Sequence, residues 1–327
     1  MKSIQSQRGT ILITVMMLFA IGAYMATEIT YRQKVDIQRT SAILSQSQAY
    51  EYVLGAEEIA RFALREDLKR DKDKERERDH PDEDWGMKLA QMVDGGTIEG
   101  ELADLQGRFN LNWLLLQDKA QRDKVKSYLM SLMAQLKIPK DKPSSAVVDQ
   151  LIDYMDEDSA PVYPDGKDDQ ELMLEEPPRR AANRMLFDVS ELLLIPALTP
   201  EEVEILAPFV TVLPPNTPLN INSAPEEVLT SIECLDAAAI KTAMPKKGYD
   251  ELDEADKISS DANCKNAKSD LPIFRDTKSE FYELKATSVV NGKIIKVRSI
   301  LYRDSTQDSN IDVKVIYRRQ VDPYSNV

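Results

Sequence analysis

Histidine is all but missing from this chain, and cysteine, glycine and aromatic residues are sparse. There is one His in 327 residues, His80, and it lies in the charge run Arg70 to Asp84 (RDKDKERERDHPDED). A lone His in a polar loop has no nucleophile to activate and no fellow ligands for a metal, so it reads as a surface residue. G-x-S-x-G, the P-loop, H-E-x-x-H and the Gly-rich dinucleotide turn are all lacking, so no enzyme signature is present and no catalytic residue is expected. Carboxylate pairs alone do not make a hydrolase, which also needs a cleft with perturbed carboxyls. The two cysteines, Cys234 and Cys264, are too far apart for a C-x-x-C motif. Positive charge is in deficit, with 42 Lys and Arg against 56 Asp and Glu and a net charge of −14. Such a chain repels nucleic-acid phosphate and anionic headgroups. The 42% apolar and 30% charged residues are an ordinary globular balance, and the length predicts about two domains.

One long apolar run is present. Thr10 to Thr27 (TILITVMMLFAIGAYMAT) holds eighteen uncharged residues. As a helix it covers ~27 Å, close to the ~30 Å hydrocarbon core of a bilayer. Lys2 and Arg8 precede it, so it predicts a single span with the N-terminus in the cytoplasm and the bulk outside. A cleaved secretory signal is the alternative, but no A-x-A-like site or helix breaker follows the run. The pair Arg8-Gly9 stands before the apolar stretch, and this order resembles a type IV prepilin leader. The resemblance implies cleavage after Gly9 and N-methylation of Thr10. Pilins usually carry a Glu five residues into the mature chain, where it pairs with the neighbouring subunit's amine; here that position is Thr14. For a chain outside the cytoplasm, an even cysteine pair predicts a disulfide between Cys234 and Cys264.

From Glu28 to about Lys69 the pattern stays helical. Ala49, Tyr52, Ala56, Ile59, Ala60, Ala63 and Leu64 form an apolar stripe for packing on a domain. Gly95 to Leu105 and Gln106 to Trp113 predict the first strands. Phe281 to Val290, Asn291-Gly292 and Lys293 to Arg303 predict a hairpin, and Asn310 to Gln320 a further strand. Between these regions the chain reads helical over 118–137, 144–155, 190–195 and 199–208, with Ser144 and Thr199 as start signals. In the middle lies an acidic loop containing Asp153, Asp156, Asp158, Asp165, Asp168, Asp169 and Glu171. Carboxylates in such number fit either a calcium site, which takes six to eight oxygens, or a solvated acidic loop.

Three phrases carry a more specific resemblance. Asp104-Leu105-Gln106-Gly107-Arg108-Phe109-Asn110-Leu111-Asn112 is similar to a D-x-x-G-x-x-N-L-N stretch. The acidic loop follows a D-x-x-D-x-D pattern, with Asp168-Asp169 where Glu-Asp is usual. Pro177 to Arg184 matches P-P-x-R-A-A-N-R. Together with the missing Glu at Thr14, these resemble the K-type minor pseudopilins of type II secretion. The resemblance implies an α+β fold: a pilin-like long N-terminal helix packed on an antiparallel sheet, with a large inserted α-helical domain. The expected units are a leader (1–9), a transmembrane helix (10–27), the remaining helix with first strands (28–111), the insert (112–218) and a return to the sheet domain (219–327). The implied role is structural, at the tip of a periplasmic pseudopilus anchored in the inner membrane. The implied partners are minor pseudopilins I and J, the major pseudopilin fibre and secreted cargo, with no nucleic acid. One phrase points elsewhere: Asn220-Ile221-Asn222-Ser223-Ala224-Pro225 resembles the opening of helix-hairpin-helix DNA-binding modules. The Gly-apolar-Gly hairpin of those modules is missing after Ile232. In the pseudopilin reading Ser223 caps a helix starting at Pro225.

Overall fold

The computed structural model describes residues 8–74, 78–233, 235–246, 248–258, 275–304 and 311–322. A single helix, α1 (Arg8–Asp73, 66 residues), opens the chain. No proline interrupts it. Thr14, Thr27 and Thr30 donate their hydroxyls to carbonyls four residues back, so these polar side chains are satisfied within the helix. At ~1.5 Å per residue it is ~99 Å long. Among the described residues this helix alone is long and apolar enough to cross a membrane.

The second half of α1 lies on a five-stranded antiparallel sheet in the order β1-β2-β7-β8-β9. The strands are β1 (Leu89–Val93), β2 (Gly96–Asp104), β7 (Phe281–Val290), β8 (Lys293–Arg303) and β9 (Val313–Val321). Ala49, Val53, Ala56, Ala60 and Leu64 of α1 are buried against Tyr282, Leu284, Ala286, Val297 and Leu301. The alanines recur at three and four and let the helix backbone approach the sheet closely. Ile59 and Phe62 face solvent, so Ile59 is not part of the predicted stripe; Val53 takes its place. The β7–β8 hairpin falls as the sequence predicts. Asn291 and Gly292 take φ values of 46° and 77°, the left-handed pair a two-residue turn requires. The Asn291 amide also donates to Ser45 Oγ at 3.1 Å, tying the turn to α1.

Between β2 and β7 runs a helical layer. Its elements are β3 (Phe109–Asn110), α2 (Lys119–Leu136), α3 (Ser144–Met155), α4 (Asp169–Leu172), α5 (Pro200–Leu206), β4 (Val210–Thr211), β5 (Leu219–Asn220), α6 (Glu226–Ser231), α7 (Ala237–Ala243), α8 (Leu252–Ile258) and β6 (Arg275–Asp276). Two-residue parallel pairs join β3 to β4 and β5 to β6. One apolar core runs from Phe109 through Leu129, Leu151, Leu206 and Leu229 to Ala255, so α6, α7 and α8 share the core of α2 and α3. The start signals act locally. Asp118 caps α2 by accepting from the Gln121 N–H, and Thr199 with Glu202 forms a full capping box behind Pro200. Two expected caps are absent. Pro143 stands before α3 with no side-chain cap, and the Ser223 hydroxyl accepts from the Asn220 amide instead of capping α6.

Candidate functional site

The phrases that carried the family resemblance meet where the chain leaves and re-enters the sheet. Asp104 ends β2 and accepts from the Gln106 N–H, the Ser279 hydroxyl and the Asn220 amide at 2.6–2.8 Å. Gln106 donates to the Pro218 carbonyl and accepts from the Glu280 N–H, so it joins both ends of the insertion to β7. Asn110 donates to the carbonyls of Leu213 and Pro214 and accepts from the Leu213 N–H; Asn112 clasps Leu186 in the same two-way manner. Asn222 clasps Tyr249. All are buried, and a buried amide is tolerated only when its donors and acceptors are met. Gly107 has its own reason. A Cβ there would lie 2.7 Å from the Ser223 backbone, so the two crossing segments can touch only if residue 107 has no side chain. The asparagines of the Asn220 to Asn222 phrase are thus spent inside the fold, and nothing in it forms a phosphate-gripping hairpin.

The charge run contributes more than a solvated helix end. Asp79 is buried, and both its oxygens accept from Arg303 Nη2, at 2.5 and 2.6 Å; it also accepts from the Tyr282 hydroxyl at 2.6 Å and the Ser279 N–H at 2.7 Å. Asp67 on α1 lies 3.4 Å from the same guanidinium. Burial, with Glu83 and Asp79 close by, pushes the Asp67 carboxyl up to about 7. Asp67, Asp79 and Glu83 each bring an oxygen within 4.8 Å of the others. Arg303 answers Asp79 and Asp67, Arg70 also reaches Asp67 at 3.7 Å, and Arg78 reaches Glu83 at 3.6 Å; the Arg303 guanidinium also lies over the Tyr282 ring. His80 is mostly covered, not surface: its Nδ1 accepts from the Asp82 N–H, and burial lowers its pKa. The alternating charges of the run hid the two described carboxylates that go inside, Asp79 and Glu83.

The acidic loop divides the seven predicted ligands. Asp153 on α3, Asp156 at its end and Asp168 before α4 come together. Burial first, and then mutual repulsion among them, pushes the Asp153 and Asp156 carboxyls up to about 6. Both Asp153 oxygens accept from the Val162 N–H, at 3.0 and 3.2 Å. Gly166 packs against Asp153 with no room for a Cβ. Asp158 lies beside Asp156 but accepts from the Ala160 N–H in solvent. Asp165 offers its carbonyl to Gln150, Asp169 accepts from the Ala181 N–H, and Glu171 closes a capping box with Asp168. Asp168 Oδ2 and Gln150 Oε1 are buried without a hydrogen-bond partner. Orphaned buried oxygens beside carboxyls that repel one another fit a hard cation such as calcium. Asp153, Asp156 and Asp168 are the carboxylates that could hold one, with Gln150 one turn before Asp153 on α3, although their oxygens are not drawn into a triad as close as that of Asp67, Asp79 and Glu83. Gln150 was missed in the sequence because an amide does not stand out in an acidic run. Its spacing of three from Asp153 on a helix was the available signal.

A helix that is bare for its first half and laid along an antiparallel sheet in its second defines a pilin-like, membrane-anchorable subunit, here carrying a helical insert. The family described as "Type II secretion system (T2SS), protein K" matches residues 107–215. Type II secretion system protein K of Pseudomonas aeruginosa is 35% identical over 76% of this chain and 76% of its own length. The putative protein K of Escherichia coli K12 is 27% identical over 97% and 99%, and that of Aeromonas hydrophila 26% over 93% and 95%. The fold superposes with a TM-score of 0.76 and 25% identity on a chain in the crystal structure of the GspK-GspI-GspJ complex from the enterotoxigenic E. coli Type 2 Secretion System, covering 87% of this chain and 99% of that one. This chain belongs to the type II secretion system protein K family, and it is a minor pseudopilin of that system.

Proposed function

We propose that the chain is the tip subunit of a periplasmic pseudopilus, held by one span in the inner membrane and without catalytic activity. It caps a complex with minor pseudopilins I and J, primes growth of the major pseudopilin fibre and contacts the exported protein. The observation that carries this reading is the head of α1. Thr14 stands where a fibre-interior pilin holds a carboxylate, and its hydroxyl donates to the Thr10 carbonyl within its own helix at 2.8 Å. Nothing there answers the amine of a subunit further along, and a carboxylate unpaired in lipid would be costly. A subunit with no neighbour beyond it needs no such group. Solved partners support the company it keeps, since the superposed chain comes from a complex with GspI and GspJ. Deletion of the gene in its host should abolish export, and re-expression of this chain should restore it. Undiminished export in the deletion strain would overturn the reading.

Three features complete it. The leader is cut after Gly9 and Thr10 is methylated. Calcium is held by the Asp153, Asp156 and Asp168 cluster. Cys234 and Cys264, which lie outside the described residues, form a disulfide that stabilises the fold by ~3 kcal/mol for a loop of this length. Intact mass with and without reductant tests the last; free thiols in periplasmic protein would refute it.

A further inference from the structure

The sheet face opposite α1 carries an unusual row. Leu284, Ala286 and Val297 point at α1, so Lys285 and Arg298, which alternate with them, point away. Lys285 pairs directly with Arg298 across β7 and β8, and Arg298 with Arg319 across β8 and β9. On the other side Lys285 faces Glu101, which is held by Lys88 at 3.1 Å. The row therefore reads Lys88, Glu101, Lys285, Arg298, Arg319. β8 and β9 contain no acidic residue at all, in a chain whose net charge is −14.

Like charges directly opposite one another weaken a sheet. Here the cost is met from below and from the insert. Glu283 is 2% exposed and is shared by Arg108, Arg298 and Lys285, while Asp188 reaches over from the insert to Arg298 at 2.7 Å and to Arg319 at 3.9 Å. Glu283 is buried, Asp188 is mostly covered, and the exposed Glu101 is paired with Lys88. Arg298, at the centre, is mostly covered and spent on Glu283 and Asp188, so the cations that keep their outer ends in solvent are Lys285 and Arg319, whose side chains are 64% and 53% exposed. Asp188 also delivers its neighbour Phe187 to the edge of the row, 56% exposed and flanked by the Arg184 guanidinium at 4.4 Å. Cations on a sheet edge guard against edge pairing, which fits Arg319 on the edge strand β9, but Lys285 and Arg298 stand on the interior strands β7 and β8, where no edge needs guarding.

We propose that this face docks an exported protein through an acidic segment carrying one apolar side chain, the carboxylates lying along the row and the apolar group against Phe187. The proposal rests on the secretion reading above. Charge complementarity selects an acidic partner. Position selects cargo over a fibre subunit: the apolar surface that other subunits must cover, including Ile37 and Leu44, is on α1, whereas the row is on the far side of the sheet.

The test uses the full chain in detergent micelles and a fluorescent peptide in which a central Phe is flanked by Glu, with a Gln-flanked counterpart. The Glu peptide should bind, lose affinity as salt rises, and bind roughly tenfold more weakly to the Lys285→Gln, Arg319→Gln double variant and to Phe187→Ala. Lys34→Glu, on the bare part of α1, should leave binding unchanged. In the host, the double variant should export acidic cargo poorly while still co-purifying with I and J. Equal binding of both peptides, or full binding by the double variant with an unchanged melting curve, overturns the proposal. Loss of I and J from the double variant assigns the face to assembly and also overturns it. Failure of the unmodified chain to co-purify with I and J removes the secretion reading itself, and the cargo assignment falls with it.

Discussion

Replacing Asp67 by Asn tests the buried cluster that ties the end of α1 to β8. Asp67 is 5% exposed, and its carboxyl sits at about 7 instead of the ordinary 3.8 because burial and the nearby Glu83 and Asp79 outweigh Arg303. A carboxyl whose folded pKa is raised holds its proton more tightly in the fold. Its contribution is therefore fully present below pH 3.8 and is lost as pH rises through 7. Three units at ~1.4 kcal/mol each give ~4 kcal/mol between those limits. Asn is neutral throughout and of the same shape. Asp67→Asn should match the parent at pH 4 and exceed it at pH 8, by several degrees in apparent melting temperature at ~2–4 °C per kcal/mol. Circular dichroism melts of the detergent-solubilised chain at the two pH values read this out. A variant whose melting shift is the same at pH 4 and pH 8 would show that the fold does not raise the Asp67 carboxyl and that the cluster is wrongly described.

Asn110→Ala removes an amide bonded to Leu213 and Pro214 and leaves the buried N–H groups of Leu213 and Asn112 unmatched, so a loss of ~3 kcal/mol is expected in urea unfolding; a change under 1 kcal/mol at ~298 K would contradict the hub role. Calcium should raise the melting temperature, by ~2.7 kcal/mol of stability at a hundredfold excess over Kd, and chelator should lower it. Because the Asp153 and Asp156 carboxyls titrate at about 6, the calcium effect should be larger at pH 8 than at pH 5; no response at either pH would leave the loop a solvated acidic turn. N-terminal sequencing of the membrane-extracted protein should begin at Thr10, and a start between Tyr24 and Glu28 would mean an ordinary signal peptide.

What the sequence disclosed and what it hid divide along physical lines. The long helix, the hairpin at Asn291-Gly292 and the helix start at Thr199 rest on local signals, namely periodicity, turn chemistry and capping, and appear in place, whereas Ser144 opens α3 without capping it. The hubs do not. Asp104, Gln106, Asn110, Asn112, Asn220 and Asn222 could be recognised as a phrase, but their task depends on partners as many as 175 residues away. Asp79 was lost among neighbours of both signs, and only the fold shows that Arg303 selects it. The acidic loop was legible as a cluster, while the roles of its members were not. Whether a carboxylate caps a turn, as Asp169 and Glu171 do, or faces its fellows, as Asp153 and Asp168 do, depends on how the loop closes. The cation row escaped for the same reason, because cross-strand neighbours become visible only with the register.

This chain is proposed to stand at the head of a minor pseudopilin complex. The most direct measurement is co-expression with the host's I and J pseudopilins, followed by affinity capture on this chain and size-exclusion chromatography with light scattering. A single species with one copy of each protein is expected. Recovery of this chain alone, or its incorporation in many copies along a fibre, would contradict it.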